Sequence, residues 1–575
     1  MCGIFASLNI DAQSESELAI LRRGFAKGKN RGPESSTWYD LGCDGKASFG
    51  FHRLAINGLN DASNQPFFIR NCILICNGEI YNFEQLFDII QVSPRTGSDC
   101  EIIIHLYLQY GMQQTLAMLD GVFAFVLVDL TANLLFVARD PFGVRPLYCL
   151  TRSTNHKRPR LQYHFASELK CLVENYVDAG QQDCLIRSIR QFTPATFSTF
   201  TFASGNGVSH GFLKKHHETV YFMPTISHFS TPVDYKQLLS QIAYYLNNAV
   251  SKRCLATERP IACLVSGGVD STLIAALVNN FYKLNGIASK LETYSIGLEG
   301  SVDLEYGAIA AEYLDTQHTI VTVSGEDMFN AIPEVIRAIE SYDTTTVRAS
   351  IGNYLLGKFI AANSEAKVIF NGDGADELLG GYLYMNMCPD DIAFDQETRR
   401  LLKDIHLFDV LRSDKSISSH GLEPRTPFLD KSFVNFILLI PPHIRNHLNC
   451  PGKREKHLLR EAFHKSQFIN FEGKQIIPDE ILWRKKEAFS DGVCGNGSHE
   501  KSLFQILQTH IAAHLNETEG TDTYTACIET EKYYYAKLFE EAYPGCADVV
   551  PYFWMPQYTT STNDPSARTL PNYST

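Results

Sequence analysis

The sequence predicts two domains: an α+β domain with stacked antiparallel sheets and helices, followed by an α/β domain built on a parallel sheet. Up to about residue 200, short β-like runs dominate and only two helical stretches lie between them, which is typical of antiparallel strands. From residue 234 onward strands and helices alternate, which indicates parallel strands with helices on both faces. The length of 575 residues exceeds one ordinary core and agrees with this division.

The first domain is predicted over residues 1–210. Its strand candidates are the runs CGIFASLN, ASFGFHRLAI, FIRNCILICNGE, GVFAFVLVDL and LLFVARD. The stretch EIIIHLYLQYGMQQTLAML has apolar residues at helical spacing, so we expect a helix packed on a sheet. From about residue 200 the sequence is rich in Ser, Thr, Gly and His, which predicts a strand pair that gives way to a linker over residues 211–233.

The second domain is predicted over residues 234–545. Asp234 is a candidate N-cap for a helix with one apolar stripe, formed by Leu238, Leu239, Ile242 and Leu246. The strand candidates IACLV, LETYSIGL, HTIVTV and AKVIF follow, with helical stretches between them. Ligands of such domains bind beyond the carboxyl ends of the strands.

Composition places the chain among globular proteins, with 45% hydrophobic and 20% charged residues. A net charge of −13 without any Lys/Arg run argues against nucleic-acid binding. No apolar run approaches the roughly twenty residues of a membrane span, and no secretory signal precedes the first strand. We therefore expect a cytoplasmic protein without a membrane partner. Residues 546–575 are rich in Pro, Thr, Ser and Asn, and composition alone predicts a loosely ordered polar tail.

The chain opens MCGIF, so removal of Met1 would leave Cys2 with both a thiol and a free α-amine. The pKa of an α-amine is about 7.7 to 8.0 and that of a free thiol about 8.5, so the amine can act as base to its own thiol. Cys2 is therefore a candidate nucleophile. The alternative is that Cys2 is only a small residue at the start of a buried strand.

A phosphate-binding loop is predicted after the strand IACLV, where SGGVDST leads into a helix. Gly267 and Gly268 allow a ligand to approach the backbone, and Ser266, Ser271 and Thr272 can hold an anion with the free N–H groups of the helix. The Walker spacing and its lysine are absent. The loop resembles that of the PP-loop synthetases, which split ATP between its α and β phosphates. The alternative is an ordinary Ser/Gly turn.

Carboxylates near this loop indicate a metal ion. Asp270 would lie close to bound phosphates, which requires a cation between them, and Mg²⁺ binds through phosphate oxygens and one or two carboxylates. A second acidic cluster, NGDGADE, follows the strand AKVIF, and its Asp373, Asp376 and Glu377 could reach the same edge of the sheet. Taken alone, such a turn can also be a solvated loop.

Together these stretches resemble the glutamine-hydrolysing asparagine synthetases over nearly the whole chain. In the first half the matching motifs are Cys2, RGPE, HRL, NGEIYN, TGSDCE and RDPFGVRPLY. In the second half they are SGGVDST, TYSIGL, SYDTTTVRAS, NGDGADELLGGYLY, GLEPRTPFLD, KREKHLLR and RKKEAFSDGV. Trp554 and DPSAR resemble the C-terminal segment of the family. Only the ordered set of motifs is specific, because each motif also has an ordinary structural explanation.

For the first domain, the resemblance implies an N-terminal-nucleophile glutaminase. Cys2 would attack the glutamine amide carbon, while Asn77 and Gly78 would stabilise the oxyanion, a contribution of about 3 kcal/mol per donor. A zwitterionic amino acid also needs a guanidinium for its carboxylate and carboxylates for its ammonium. The residues implied to bind glutamine are Arg53, Asn77, Glu79 and Asp99.

For the second domain, the resemblance implies a PP-loop ATP pyrophosphatase fold that adenylates aspartate. The residues implied to bind ATP are Leu264, Ser266, Gly267, Gly268, Asp270, Ser271, Thr272, Ile296, Asn371 and Gly372, with Leu264 and Ile296 beside the adenine. Those implied to lie near aspartate are Thr345, Thr346, Arg348, Glu377 and Arg425. Asp270 and Asp376 would serve Mg²⁺, and Lys486 would neutralise charge on the departing pyrophosphate.

Two residues depart from the usual SGEGSDE motif of the family. Asn371 replaces a serine, and Asp373 replaces the glutamate that is implied to act as base toward the attacking ammonia. The side chain of Asp373 is shorter by one C–C bond, about 1.5 Å. Because a misplacement of about 1 Å can lower a rate around 10²-fold, the base assignment is left open. RGPE in place of the usual RGPD is a smaller change.

The implied reaction converts glutamine, aspartate and ATP into asparagine, glutamate, AMP and pyrophosphate. It would proceed through a γ-glutamyl thioester and a β-aspartyl-AMP, with ammonia crossing an internal apolar passage. A homodimer is suggested by the resemblance only. Two alternatives stay open: a related amidotransferase that acts on another carboxylate, and a degenerate chain that only binds nucleotide or amino acid. The Asp373 change favours the degenerate chain, whereas the intact Cys2, SGGVDST, Asp376 and Lys486 oppose it.

Overall fold

The computed structural model describes residues 1–10, 14–41, 47–153, 161–181, 187–205, 208–226, 233–486, 502–559 and 563–566. Two antiparallel sheets form from the first half of the chain and one parallel sheet from the second half, which confirms the predicted fold class. Among the helices in these ranges, none has both the length and the apolar character needed to cross a membrane.

The strands of the N-terminal half lie in two six-stranded sheets. They are β1 (Gly3–Leu8), β2 (Ser35–Leu41), β3 (Ala47–Arg53), β4 (Phe67–Ile69), β5 (Cys72–Ile80), β6 (Gly121–Asp129), β7 (Leu134–Arg139), β8 (Tyr148–Ser153), β9 (Leu161–Ala166), β10 (Arg187–Gln191), β11 (Thr196–Gly205) and β12 (Val208–Val220). The sheet orders are β10-β8-β9-β1-β3-β2 and β12-β11-β7-β6-β5-β4. Ile4 and Phe49 of the first sheet share a buried core with Ile75 and Val126 of the second, so the sheets stack face to face.

Helices cover the outer sides of this pair of sheets. They are α1 (Glu15–Ala26), α2 (Phe83–Ile90), α3 (Ile102–Met118) and α4 (Val173–Gln181). The predicted helix is α3, whose Ile103 and Leu106 pack with Leu74 and Phe125 of the second sheet.

Strand β12 continues through Val220, into the predicted linker 211–233. Val220 pairs with Thr196 of β11, so this part of the chain belongs to the first domain. Its sequence LKKHHETV is polar. This polarity is compatible with a strand because β12 lies at the edge of its sheet, where side chains do not need to be apolar. The predicted strand pair is therefore present as β11 and β12, but its second strand extends further into the predicted linker than expected.

The C-terminal half contains a five-stranded parallel sheet in the order β15-β14-β13-β16-β17. The strands are β13 (Ile261–Leu264), β14 (Glu292–Gly297), β15 (Gln317–Thr322), β16 (Val368–Phe370) and β17 (Glu423–Arg425). The helices are α5 (Tyr235–Leu255), α6 (Val269–Leu284), α7 (Val302–Leu314), α8 (Gly325–Ile339), α9 (Thr344–Asn363), α10 (Ala375–Leu379), α11 (Asp391–Asp404), α12 (Asp409–Ser418), α13 (Lys431–Leu439), α14 (Pro442–Arg445), α15 (His457–Ala462), α16 (Asp479–Leu482), α17 (Leu503–Glu519) and α18 (Ile528–Ala542). The N-cap prediction is confirmed, since the Asp234 side chain accepts from Gln237 N.

The two loops that carry the predicted ATP and metal residues leave the sheet at the same edge. Strands β13 and β16 are parallel neighbours, with Cys263 opposite Phe370, and each strand runs directly into its loop. In the first loop, Gly267 has a φ of +69°, and an added Cβ would overlap Tyr306. Glycine is therefore needed here for the loop to pack against α7.

The polar C-terminal tail is packed where it is described. Trp554 is buried against Tyr382 and Tyr384, and Asp564 forms an ion pair with Arg348. The compositional prediction of loose order is therefore wrong for these residues. A few long-range contacts hold the tail in place, and amino-acid composition gives no information about such contacts. Arg568 and the end of DPSAR lie outside the described residues.

Candidate active sites

Cys2 immediately precedes the first residue of β1, where the two domains meet. Gly3 pairs with His52 of β3, and the Cys2 thiol lies 3.5 Å from the carbonyl oxygen of Leu54 as a donor. Burial raises the pKa of this thiol. Met1 is still attached and buried, and its amine lies 3.4 Å from Leu422 O of the second domain. The nitrogen of Cys2 is therefore an amide here, and it becomes a base only after Met1 is removed.

The predicted oxyanion residues lie on β5, in the sheet opposite β1. Asn77 Nδ2 donates to Ser167 Oγ at 3.5 Å, and Ser167 Oγ accepts from Ile4 N of β1 at 3.0 Å. Gly78 packs so closely on β6 that an added Cβ would lie 2.5 Å from Val122 O. The structure thus brings Asn77 to the start of β1 and explains structurally why residue 78 has no side chain.

The other predicted glutamine residues surround the same end of the two sheets. Arg53 donates to Asn60 O at 2.9 Å and to Asn64 Oδ1 at 2.8 Å, so its guanidinium is already held by the following loop. Glu79 accepts from Asn57 Nδ2 at 2.8 Å. The Asp99 Oδ2 accepts from Ile80 N at 2.6 Å. Ser98, and not Asp99, is the N-cap of the short 3-10 helix Asp99–Glu101.

Glutamine binding should weaken in acid because of Asp99. Burial raises the pKa of Asp99 to about 6, so its carboxylate loses its charge as the pH falls through that value. If that charge holds the glutamine ammonium, the KM for glutamine should rise about tenfold between pH 7 and pH 5. Initial rates of glutamate release without ATP measure this, and a constant KM would exclude the role. Asp99→Asn should have a high KM already at pH 7.

Arg31 of the RGPE motif connects Cys2 with the second domain. Its Nε donates to Cys2 O at 2.9 Å, and its Nη1 donates to Asp414 Oδ1 of α12 at 2.7 Å. The preceding residue of α12, Ser413, accepts from Asn371 Nδ2 at 2.7 Å. A continuous series of buried contacts therefore links the Cys2 backbone to the loop that carries Asp373. The domain boundary beside Cys2 is charged, and the predicted apolar passage for ammonia stays a prediction.

Most of the predicted synthetase residues line one cavity of about 250 Å³. Leu264 and Ile296 contribute apolar walls, as expected of an adenine site. The other predicted residues that line it are Ser266, Gly268, Asp270, Ser271, Thr345, Thr346, Arg348, Asn371, Gly372, Asp373, Asp376, Glu377 and Lys486. Gly267 and Thr272 belong to the same loop but are not part of this lining.

The two predicted metal ligands lie on either side of one ammonium group. Lys456 Nζ contacts Asp270 Oδ2 and lies 2.5 Å from Asp376 Oδ1, while Lys486 Nζ donates to Asp376 Oδ2 at 2.7 Å. These lysines hold the pKa of Asp376 far below its usual range, against the opposing effect of burial. Asp270 Oδ1 is buried without a hydrogen-bond partner among the described residues. The two carboxylates therefore lie close enough to share a single cation.

The acidic loop also presents carboxyl oxygens to the cavity. Asp373 Oδ2 and Glu377 Oε2 are both buried and lack a hydrogen-bond partner in the described ranges. Arg412 Nη2 lies 3.4 Å from Asp373 Oδ1, but burial outweighs this cation and raises the pKa of Asp373. Burial and Asp409 likewise raise the pKa of Glu377 well above its usual range.

The predicted aspartate residues divide into two groups. Thr345 and Thr346 begin α9 at the cavity, and Thr345 Oγ1 is buried without a partner among the described residues. Arg348 also reaches the cavity, although Glu531 and Asp564 already bind its guanidinium. Arg425 does not line the cavity: it donates to backbone carbonyls of α5 and its C-cap and lies 3.4 Å from Glu79 of the first domain.

Sequence reasoning missed Lys456, Arg412 and Asp564 as residues of the synthetase site. Lys456 lies in the quoted motif KREKHLLR, but nothing in that motif indicates that its side chain reaches two aspartates far away in the chain. Asp564 lies in DPSAR, where only the resemblance drew attention to it. Residues 487–493 of the motif RKKEAFSDGV lie outside the described residues.

Comparisons with known proteins find matches to both halves of the chain. Residues 1–206 match a family model described as a glutamine amidotransferase domain, and residues 241–391 and 386–563 match one described as asparagine synthase. The glutamine-hydrolysing asparagine synthetases of Gallus gallus and Bos taurus are each 37% identical over 586 residues, which cover 100% of this chain and 99% of each relative. That of Homo sapiens is 36% identical over 588 residues, with the same coverage. The chain belongs to the family of glutamine-hydrolysing asparagine synthetases.

Proposed function

We propose a two-site mechanism for the ATP-dependent and glutamine-dependent synthesis of asparagine that this family membership assigns to the chain. Cys2 would release ammonia from glutamine, and the synthetase cavity would convert aspartate and ATP into β-aspartyl-AMP and pyrophosphate. Ammonia would then displace AMP and form asparagine. The observation that carries this proposal is the convergence of the phosphate loop, the acidic loop and Lys486 on one cavity, with Lys456 bound to Asp270 and Asp376 of the two loops.

The glutaminase step begins with the Cys2 thiol. After removal of Met1, the α-amine of Cys2 would take the thiol proton as sulfur attacks the amide carbon of glutamine. Asn77 Nδ2 and the amide of Gly78 would stabilise the oxyanion until ammonia leaves and the γ-glutamyl thioester remains. Water would then hydrolyse the thioester to glutamate. Arg31 supports this geometry, because it holds the carbonyl oxygen of Cys2.

The synthetase step needs an activated carboxyl group, since a carboxylate is a poor electrophile. The β-carboxylate of aspartate would attack the α-phosphorus of ATP and expel pyrophosphate. Lys456, which contacts Asp270 of the phosphate loop, and Lys486, which contacts Asp376 of the acidic loop, would neutralise the charge that develops on the leaving group. Thr345 Oγ1 is a free hydroxyl for the aspartate substrate, which we place beside the start of α9.

We propose Mg²⁺ as the cofactor of this site. Asp270 and Asp376 offer hard oxygen ligands within reach of one cation, and Asp270 Oδ1 lacks a partner among the described residues. Among the residues that the structure describes, no group of three or more His, Cys, Asp or Glu could hold a metal ion without other ligands. Substrate phosphates would therefore complete the coordination of Mg²⁺. When bound, Mg²⁺ would offset phosphate charge.

Removal of Mg²⁺ should separate the two activities. With excess EDTA, asparagine formation should fall at least about 10²-fold, because the phosphate charge is no longer offset. Glutamate release from glutamine should stay within about twofold of its normal rate, since no residue proposed for that site binds a metal. Both products are measured by chromatography, and added Mg²⁺ should restore synthesis. Full asparagine synthesis in EDTA would refute the cofactor assignment.

Asp373 is proposed to take a proton from the ammonium group that forms when ammonia attacks. Asp373 lines the cavity, its Oδ2 is buried without a partner among the described residues, and burial raises its pKa. Asp373→Asn should therefore lower ammonium-dependent synthesis about 10²-fold. Aspartate-dependent exchange of pyrophosphate into ATP should persist, because adenylation precedes this step. Asp373→Glu is the matched control and should retain most of the synthesis.

The decisive assay uses purified protein, ATP, Mg²⁺, aspartate and either glutamine or ammonium. Asparagine, AMP and pyrophosphate should appear in equal amounts with both nitrogen donors. Formation of ADP would contradict the assignment of the loop, and turnover of another carboxylate instead of aspartate would favour the related amidotransferase. A cytoplasmic location, a homodimer and the absence of nucleic-acid and membrane partners remain predictions from the sequence.

A further inference from the structure

Part of the C-terminal tail forms one side of the synthetase cavity. Trp554, Pro556, Pro565 and Ser566 all line it, and we refer to these four residues as the C-terminal wall. The same cavity contains Thr345, where we place the aspartate substrate. The proposed mechanism uses none of the four residues, so their presence at the site needs its own explanation.

One end of the C-terminal wall is attached to the start of α9. Trp554 N donates to Asp343 Oδ1 at 2.8 Å, and Asp343 Oδ2 caps the helix by accepting from Thr346 N at 2.8 Å. The ring of Trp554 lies 5.5 Å from that of Tyr382, between centroids. The same aspartate thus fixes both the wall and the helix turn that carries Thr345 and Thr346.

The other end is attached to Arg348, one turn further along α9. Arg348 Nη1 donates to Asp564 Oδ1 at 2.8 Å, and Nη2 donates to Asp564 Oδ2 at 3.1 Å. Ser566 N also donates to Asp564 Oδ1, at 2.9 Å, so Asp564 directly orients the wall residues that follow it. Arg348 is 4% exposed, which makes this a buried ion pair and an anchor rather than a surface contact.

The guanidinium of Arg348 is also bound on its second edge. Its Nε and Nη2 donate to the two oxygens of Glu531 at 2.8 and 2.5 Å. Glu531 is held in turn by Gln508 Nε2 at 2.9 Å and Tyr535 OH at 2.9 Å. An arginine has five N–H groups, and the two carboxylates occupy four of them. No edge is left for a paired contact with a substrate carboxylate.

We propose that Arg348 is a positioning residue, which holds the C-terminal wall against the aspartate site through Asp564. The wall then sets the shape of the site, and Arg348 acts on aspartate through it rather than by direct contact. This inference rests on the proposed position of aspartate in the cavity. The competing arrangement has Arg348 binding the substrate carboxylate and Asp564 occupying its place in the free protein.

The variant Asp564→Asn distinguishes the two arrangements by the sign of its effect. If Asp564 anchors the wall, the KM for aspartate in ammonium-dependent synthesis should rise ten- to hundredfold, roughly the effect of a misplaced site. The KM for ATP and the rate of glutamine hydrolysis should stay within about twofold of the wild type. If Asp564 instead competes with substrate, the KM for aspartate should fall, which would overturn the proposal. An unchanged KM would overturn it as well.

A control variant and a hydrogen-exchange measurement on the wild type separate the proposed effect of Asp564 from a general loss of folding. Asp548→Asn removes an exposed carboxylate from the same part of the chain and should change neither KM. In the wild type, backbone amides of residues 554–559 should exchange hydrogen more slowly with aspartate and α,β-methylene-ATP than with the nucleotide analogue alone. Equal exchange rates would count against the wall. If the wild type makes no asparagine, the proposed function fails, whereas an active wild type with an unaffected Asp564→Asn variant refutes only this inference.

Discussion

Cys2→Ala is expected to lower glutamine-dependent asparagine synthesis at least about 10⁴-fold, the scale on which loss of a nucleophile acts. Ammonium-dependent synthesis should stay within about twofold of the wild type, because the synthetase cavity contains no atom of Cys2. Alanine keeps the small size of the residue at the start of β1, and the contact that is lost is a thiol donor 3.5 Å from Leu54 O. The fold should therefore survive. Asparagine formation with each nitrogen donor measures the effect.

The matched control for this experiment is Cys450→Ala. Cys450 is a partly exposed free cysteine of the second domain, and its replacement should leave both reactions unchanged. The intact mass of the wild type should also lack Met1, since only then does Cys2 have a free amine. Loss of both activities in a folded Cys2→Ala protein would contradict the separation of the two sites.

Asp376→Asn should have the second large effect, and on the opposite domain. We expect asparagine synthesis to fall about 10²- to 10⁴-fold with either nitrogen donor, while glutamate release without ATP persists. The amide side chain introduced at position 376 cannot supply the negative charge that a cation needs. The substitution also leaves Lys456 and Lys486 without their shared carboxylate. Removing one partner from such a buried pair is costly, so folding must be checked by thermal unfolding.

Asp315→Asn is the control for this substitution. Asp315 pairs with Lys290 at 2.5 Å, but its side chain is 70% exposed, so loss of that pair should alter neither activity nor stability measurably. Aspartate-dependent exchange of pyrophosphate into ATP should vanish in Asp376→Asn and persist in Asp315→Asn. A variant Asp376→Asn that still exchanges pyrophosphate would exclude Asp376 from the adenylation step.

Local patterns predicted the elements that depend on neighbouring residues. The apolar runs form strands, Asp234 caps α5, and SGGVDST forms the predicted loop between β13 and α6. These predictions succeeded because a strand, a cap or a tight turn is decided by a few consecutive residues. The linker was predicted to begin too early for the same reason, since the polar edge sequence at the end of β12 has no clear local signal.

The sequence alone was sufficient to indicate the family and the two fold classes, because ordered motifs are a property of the chain; its assignment of the site residues stays a prediction. Only the tertiary structure placed Lys456 between Asp270 and Asp376, and Asp564 on Arg348. It also placed Arg425 outside the synthetase cavity. Lys456 and Asp564 lie far along the chain from their partners, and which distant charges meet depends on how the sheets and helices pack. A buried charge is stable only with its partner, and local sequence does not name that partner.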